Sequence, residues 1–220
     1  MSKYILKYTR DERVKYISHL DFIRMFHRAV RRSGVNFLFS EGFNPHPVMT
    51  VAMPLSVGVT SDGEYMKGGF EDEFSTEEIK NRINDALPPG FEIKSVYKLK
   101  AKEIDLTKIQ FADYKVLVEL KEGSIYPDVK KFLNENSLVV IKKSKSGEKP
   151  SDIRPHIHSL EITDESNGEL TLKMCVDAGN AYNLKPDTVI EAMKKYTDGF
   201  DVEFYNVHRS ALLSGNAEIL

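Results

Sequence analysis

The chain has 220 residues, 41% hydrophobic and 29% charged, with a net charge of −2, which fits a globular protein able to bury a core in one or two domains. No apolar run approaches the about 18 residues that a membrane-spanning helix needs, and the charged opening Met-Ser-Lys-Tyr-Ile-Leu-Lys-Tyr is not expected to act as a signal peptide. The lone Cys175 excludes a disulfide framework, excludes a cysteine-ligated iron–sulfur cluster held by this chain alone, and fits a cytoplasmic protein.

Lys3 to Thr9 alternates like a strand, and Arg13 to Ile17 is expected to extend or pair with it. A helix follows over about residues 19–33. Ser18 and Asp21 have the spacing of a capping box, and Gly34 stands where a C-cap belongs. Phe22, Ile23, Phe26, Ala29 and Val30 fall on one side of this helix. Asp21, Arg24, Arg28, Arg31 and Arg32 fall on the other. Residues 1–32 carry nine basic and three acidic side chains, +6, which leaves −8 for the rest of the chain. That asymmetry predicts a basic face that meets an anionic partner. Arg24, Arg28 and Arg31 at i, i+4 and i+7 form its stripe.

Val35 to Phe39 reads as a strand, and Ser40 to Pro47, Ser-Glu-Gly-Phe-Asn-Pro-His-Pro, as a stiffened loop. Each proline drives the residue before it, Asn44 and His46, to extended geometry, and Gly42 supplies backbone angles other residues resist. The loop is expected to hold Glu41, Asn44 and His46 beside the arginine face, with Phe43 placed to stack. As plain structure, the same loop would be a tight turn between two strands.

The SHLD opening, the arginine helix and the SEGFNPHP loop resemble the radical SAM-linked protein family, a bacterial domain without an established activity. Met53 to Val59, MPLSVGV, and Asp152-Ile153-Arg154-Pro155 extend the resemblance over most of the chain. It implies a radical SAM enzyme with a cobalamin-type domain as the partner, and it brings Arg154 into the substrate-binding candidates.

Further along, a possible strand at Met49 to Met53, a strand at Glu64 to Phe70 and a capped helix from Ser75 to about Leu87 lead to a strand at Phe91 to Leu99. The order β-α-β-β-α-β is that of a ferredoxin-like unit. After a boundary at Lys100 to Gln110, the order repeats. Tyr114 to Leu120, a helix at Tyr126 to Asn134, Leu138 to Lys142 and a hairpin turning at Glu165 to Gly168 lead to a helix at Pro186 to Tyr196 and a strand at Val202 to Val207. The expected fold is therefore α+β, two ferredoxin-like halves in tandem over 1–100 and 111–220. By fold-level analogy alone, tandem halves of this kind occur in CRISPR repeat-processing endonucleases.

Other chemistry is sparse. His156 and His158 share a side of a strand but have no third metal ligand near them, so no metal site is expected. Cys175 reads as core, and Lys142 to Ser151 as a basic mobile loop. No phosphate-cradling glycine motif is present, and no cofactor is expected. Three readings follow. The first is a non-enzymatic binding module that holds an anionic substrate such as RNA for the radical SAM partner. The second is an RNA-cleaving endonuclease using His46 or His19 as acid or base. The third is a protein–protein adapter.

Overall fold

The computed structural model describes residues 2–71, 74–99, 104–144, 147–215 and 217–218. It is mixed α+β, mostly sheet with few helices. Contacts divide the chain into two units, one running to Ile109 and taking in Glu218, the other Gln110–Ala217.

In the first unit, β1 (Ser2–Arg10), α1 (His19–Ser33), β2 (Met49–Val51), β3 (Val59–Phe70), α2 (Thr76–Ala86) and β4 (Phe91–Lys98) follow in order. The strands lie as β4-β1-β3, with β2 on the far edge of β3, and all neighbours are antiparallel. Leu6 of β1 faces Met66 on one side and Val96 on the other. Tyr4, Leu6 and Tyr8 alternate toward one face, where they join Phe22, Phe26 and Val30 of α1 and Ile79 and Ile83 of α2 in one buried cluster. Phe22 stacks on Tyr8 with ring centroids 5.1 Å apart, which fixes α1 on the sheet.

Both helices start as their sequences predict, but their caps differ. Ser75 and Glu78 form a full capping box. The Ser18 side chain accepts from the Asp21 amide, and Asp21, one methylene shorter than Glu, takes the Ser18 hydroxyl and Arg24 instead. Gly34 ends α1 in the left-handed region. The segment after β1 is a helical turn at Glu12–Val14 rather than a strand. Between Asn36 and Phe39 the expected strand is reduced to two isolated bridges, Phe37 with Phe70 and Phe39 with Pro47.

In the second unit, β5 (Phe111–Leu120), α3 (Val129–Asn134), β6 (Val139–Ser144), β7 (Gly147–Asp152), β8 (Ile157–Ser166), β9 (Glu169–Asp177), α4 (Pro186–Tyr196) and β10 (Val202–Ser214) follow in order. Four of them lie as β10-β5-β9-β8, and β6 and β7 pair only with each other. The expected mobile loop at Lys142 to Ser151 is thus largely this hairpin, in antiparallel register from Val139 opposite Asp152 to Ser144 opposite Gly147; residues 145 and 146 lie outside the described residues. α3 starts three residues later than expected because Asp128, not the segment around Pro127, caps it. β8 and β9 turn at Asn167-Gly168, both with positive φ, as an Asn-Gly hairpin requires.

Candidate functional site

The basic segment is largely consumed by the fold. Arg10 is buried, donating to the carbonyls of Val14 and Ile17. Arg13 pairs with Asp11, Lys15 with Glu12 and Arg24 with Asp21. Arg32 donates to the carbonyl of Ala86 at 2.7 Å, at the C-terminus of α2, which has no basic residue in its own last turn. Arg28 and Arg31, both exposed, make no ion pair or hydrogen bond to the described residues. The stripe is therefore narrower than the sequence count implies.

Arg31 lies in the wall of a cavity of about 410 Å³, shared with His27, Phe37, Phe39, Pro45 and His46. The cavity exists because of how the 40–47 loop closes. Its arms meet at the Phe39–Pro47 bridge, and the Ser40 amide donates to the His46 carbonyl at 2.9 Å. The Ser40 hydroxyl lies 2.9 Å from His46 Nδ1 and accepts from the His46 amide at 3.1 Å. Both arms then dock on β3: the Leu38 amide donates to Gly69 O, and the Gly69 amide donates to Val48 O. Gly69 permits this approach, since a Cβ there would stand 3.2 Å from Leu38 and 3.4 Å from Val48. At the tip, Gly42 has φ +117°, where other residues are strained.

His27 was not among the sequence candidates. It stands one helical turn before Arg31 on α1, a spacing that marks a shared face and was the available signal. Its ring meets Phe37 edge-on with centroids 5.4 Å apart, and its Nε2 is buried without a hydrogen-bond partner among the described residues. Burial, then the neighbouring Arg31 charge, lowers its pKa from the ordinary 6.5, so the ring is neutral at pH 7.

Of the predicted residues, the structure thus brings Arg31 and His46 together. His19, at the first turn of α1, is not among the residues lining the cavity, and it precedes His27 by eight positions, about 12 Å along the helix. Glu41 and Asn44 are exposed and do not line the cavity. Phe43 is fully exposed at the loop tip, and the phenylalanines that do line the cavity are the buried Phe37 and Phe39, 53% exposed. Arg154, expected among the substrate-binding residues, lies in the second unit and is engaged by the scaffold. Its guanidinium donates to the carbonyls of Leu133 and Ile157, which ties α3 to the start of β8.

In the second unit His156 and His158 converge on one carboxylate. Asp177 lies 2.6 Å from His156 Nδ1 and 2.5 Å from His158 Nε2. His158 is the extra residue of a bulge, since Ile157 faces Val176 and Ser159 faces Cys175. Burial pushes the Asp177 carboxyl up, but the two histidines outweigh it and hold it below the usual range. His156 also stacks flat on Tyr182, 3.4 Å between centroids, and Lys142 and Ser151 of the hairpin reach the Tyr182 hydroxyl. This chain of contacts fastens the hairpin to the unit. Among the described residues, no group of three or more His, Cys, Asp or Glu is placed to hold a metal ion. No helix among them is long and apolar enough to cross a membrane.

No curated protein matches the chain. Among solved structures, it aligns over 94% of its length with a chain of a Cbf5-Nop10-Gar1 complex, at 12% identity and a TM-score of 0.43, and spans 57% of that chain. It also aligns over 94% of its length with an unknown protein from Galdieria sulphuraria, at 13% identity and a TM-score of 0.27, covering 98% of that chain. Neither likeness is close enough to bear on function. The family model matches residues 3–186, and the chain belongs to the uncharacterized proteins conserved in bacteria designated DUF2344.

Proposed function

We propose that the protein is a cytoplasmic binding module that presents an anionic substrate, RNA in the first instance, to a separate radical SAM enzyme. The observation that carries the reading is Arg31, a guanidinium without a counterion among the described residues, set in a cavity that no carboxylate lines. Arg28, one turn or less away on α1, extends the anion-binding face. Each unit reads as ferredoxin-like, supported by the strand orders β4-β1-β3-β2 and β10-β5-β9-β8. The radical SAM partner rests on the resemblance of the SHLD and SEGFNPHP segments alone.

The test is binding of bulk cellular RNA by the purified protein over a salt series. Affinity should fall with salt, and Arg31→Gln or Arg28→Gln should each reduce the slope of log K against log salt by about 0.7. Arg24→Gln should change it less, because Asp21 already sits 3.2 Å from that guanidinium. Absence of RNA binding at low salt would move the protein–protein adapter reading forward.

A second reading, metal-independent RNA cleavage, is favoured by one observation: His27 adds to the cavity of His46 the second protonatable group that an acid–base pair needs. In that reaction one histidine takes the 2′-hydroxyl proton as the 2′-oxygen bonds to phosphorus. The other returns a proton to the departing 5′-oxygen. Site-specific cleavage without metal, lost in His46→Ala, would establish it; RNA left intact would return the protein to the binding reading.

A further inference from the structure

We propose that the cavity holds a single nucleotide unit, its phosphate on the Arg31 guanidinium and its base against the Phe39 ring. The inference rests on the anion-binding reading and narrows it to a ligand class.

Size is the first argument. At about 410 Å³ the cavity lies near the small end of ligand pockets, which run from about 300 to 1,000 Å³. That suits one ring and one charged group. A single strand followed through several nucleotides needs an extended basic groove instead, and the fold has already paired or buried four of the basic side chains that such a groove would use: Arg10, Arg13, Lys15 and Arg24.

Charge is the second. Arg31 is the one permanently charged residue in the wall, and His27 beside it is held neutral. The wall therefore offers one permanent positive charge, and no carboxylate lines it among the described residues, which suits a phosphate. A guanidinium binds phosphate through two parallel N–H donors.

The apolar wall is the third. Phe39 is half-exposed and its backbone is bridged to Pro47, which fixes where the side chain leaves the main chain and leaves about half of it open to a planar partner. At the rim, Asn36 gives its Nδ2 to Glu71 at 3.0 Å. Its Oδ1 has no hydrogen bond among the described residues and suits a base amino group. Ser40 engages His46 Nδ1, and the opposite ring nitrogen likewise has no partner among the described residues. One cation, one open ring and two free polar atoms are the elements of nucleotide recognition.

The experiment measures binding of each of the four 5′-ribonucleoside monophosphates and of inorganic phosphate by calorimetry, on wild type, Arg31→Gln and Phe39→Ala. Melting curves confirm that each variant is folded. At least one nucleotide should bind tenfold or more tighter than phosphate. Arg31→Gln should weaken nucleotide and phosphate alike by about tenfold. Phe39→Ala should weaken only the nucleotide, also by about tenfold. Competition with a 5′-phosphorylated ribo-oligonucleotide and its 5′-hydroxyl form separates the two sources. Displacement by the phosphorylated form alone assigns the site to an RNA end, and displacement by neither assigns it to a free nucleotide; both outcomes uphold the proposal. Equal affinity for phosphate and nucleotide, or displacement by benzoate at the nucleotide's own concentration, overturns it. Salt-dependent RNA binding with no nucleotide binding overturns the single-nucleotide pocket and leaves the RNA-binding module standing. Failure of both removes the module reading as well.

Discussion

At His27, burial and a neighbouring guanidinium act in the same direction, both against a proton on the ring. The folded-state pKa is below the unfolded value of 6.5, so the unfolded chain takes up a proton first as pH falls. Stability is therefore full above pH 6.5 and declines below it. Replacing His27 by Phe removes the group that must charge and also the buried Nε2 without a partner, worth about 1 kcal/mol. In urea unfolding at pH 7.5 and 5.5, His27→Phe should be at least as stable as wild type at the higher pH. Its margin should widen at the lower one. A second residue-scale expectation concerns Cys175. Burial, then the Asp113 side chain, pushes its thiol up to about 12. The native protein at pH 8 should resist iodoacetamide, and unfolding in urea should expose the thiol to rapid alkylation.

Among the elements, β3 has the most demanding sequence. Glycines such as Gly68 and Gly69 weaken a strand taken by itself, yet in the fold they let the arms of the 40–47 loop and the Phe70 ring come close. A Cβ at Gly69 would press on Leu38 and Val48, and a branched side chain would press harder. Gly69→Val should cost about 1–3 kcal/mol in chemical unfolding and shift the loop. If the cavity is the binding site, ligand affinity should fall with it. Replacing Pro45 and Pro47 together by Ala acts differently. It leaves the hydrogen bonds between Ser40 and His46 possible but frees the backbone that presents His46. Affinity should drop more than stability, and comparing binding with unfolding for this double variant separates preorganisation from packing.

For the whole molecule, the useful quantity is the number of positive charges left after folding, not the count in the sequence. The +6 of residues 1–32 predicts a broad basic face. In the structure that segment contains a buried arginine, three ion pairs and a helix cap, and Arg28 and Arg31 stay exposed without a partner among the described residues. RNA held mainly by these two should show a salt slope of only about 1.4. A much steeper slope would place further cations of the molecule on the RNA and redraw the face.

Features whose cause is local were legible in the chain. The start of α1 at Ser18 and its end at Gly34, the apolar stripe of Phe22, Phe26, Ala29 and Val30, the capping box at Ser75 and the Asn167-Gly168 turn need only a few neighbouring residues to decide them. The mixed α+β character followed from the periods of those segments. What depends on residues distant in sequence was decided only in three dimensions. The segment at Lys142 to Ser151 looks mobile because its lysines and Gly147 favour solvent, but pairing across the β6–β7 ladder and contact with Tyr182 make most of it a hairpin. The carbonyls of Leu133 and Ile157 that receive the Arg154 guanidinium are brought to it by the fold, and no local pattern announces them. His27 looks like one more helix residue until the loop from Ser40 to Pro47 folds back, docks on Gly69 and sets His46 in the same wall. Backbone angles and capping are short-range energies written in adjacent residues, whereas a pocket is made by which surfaces the core brings together.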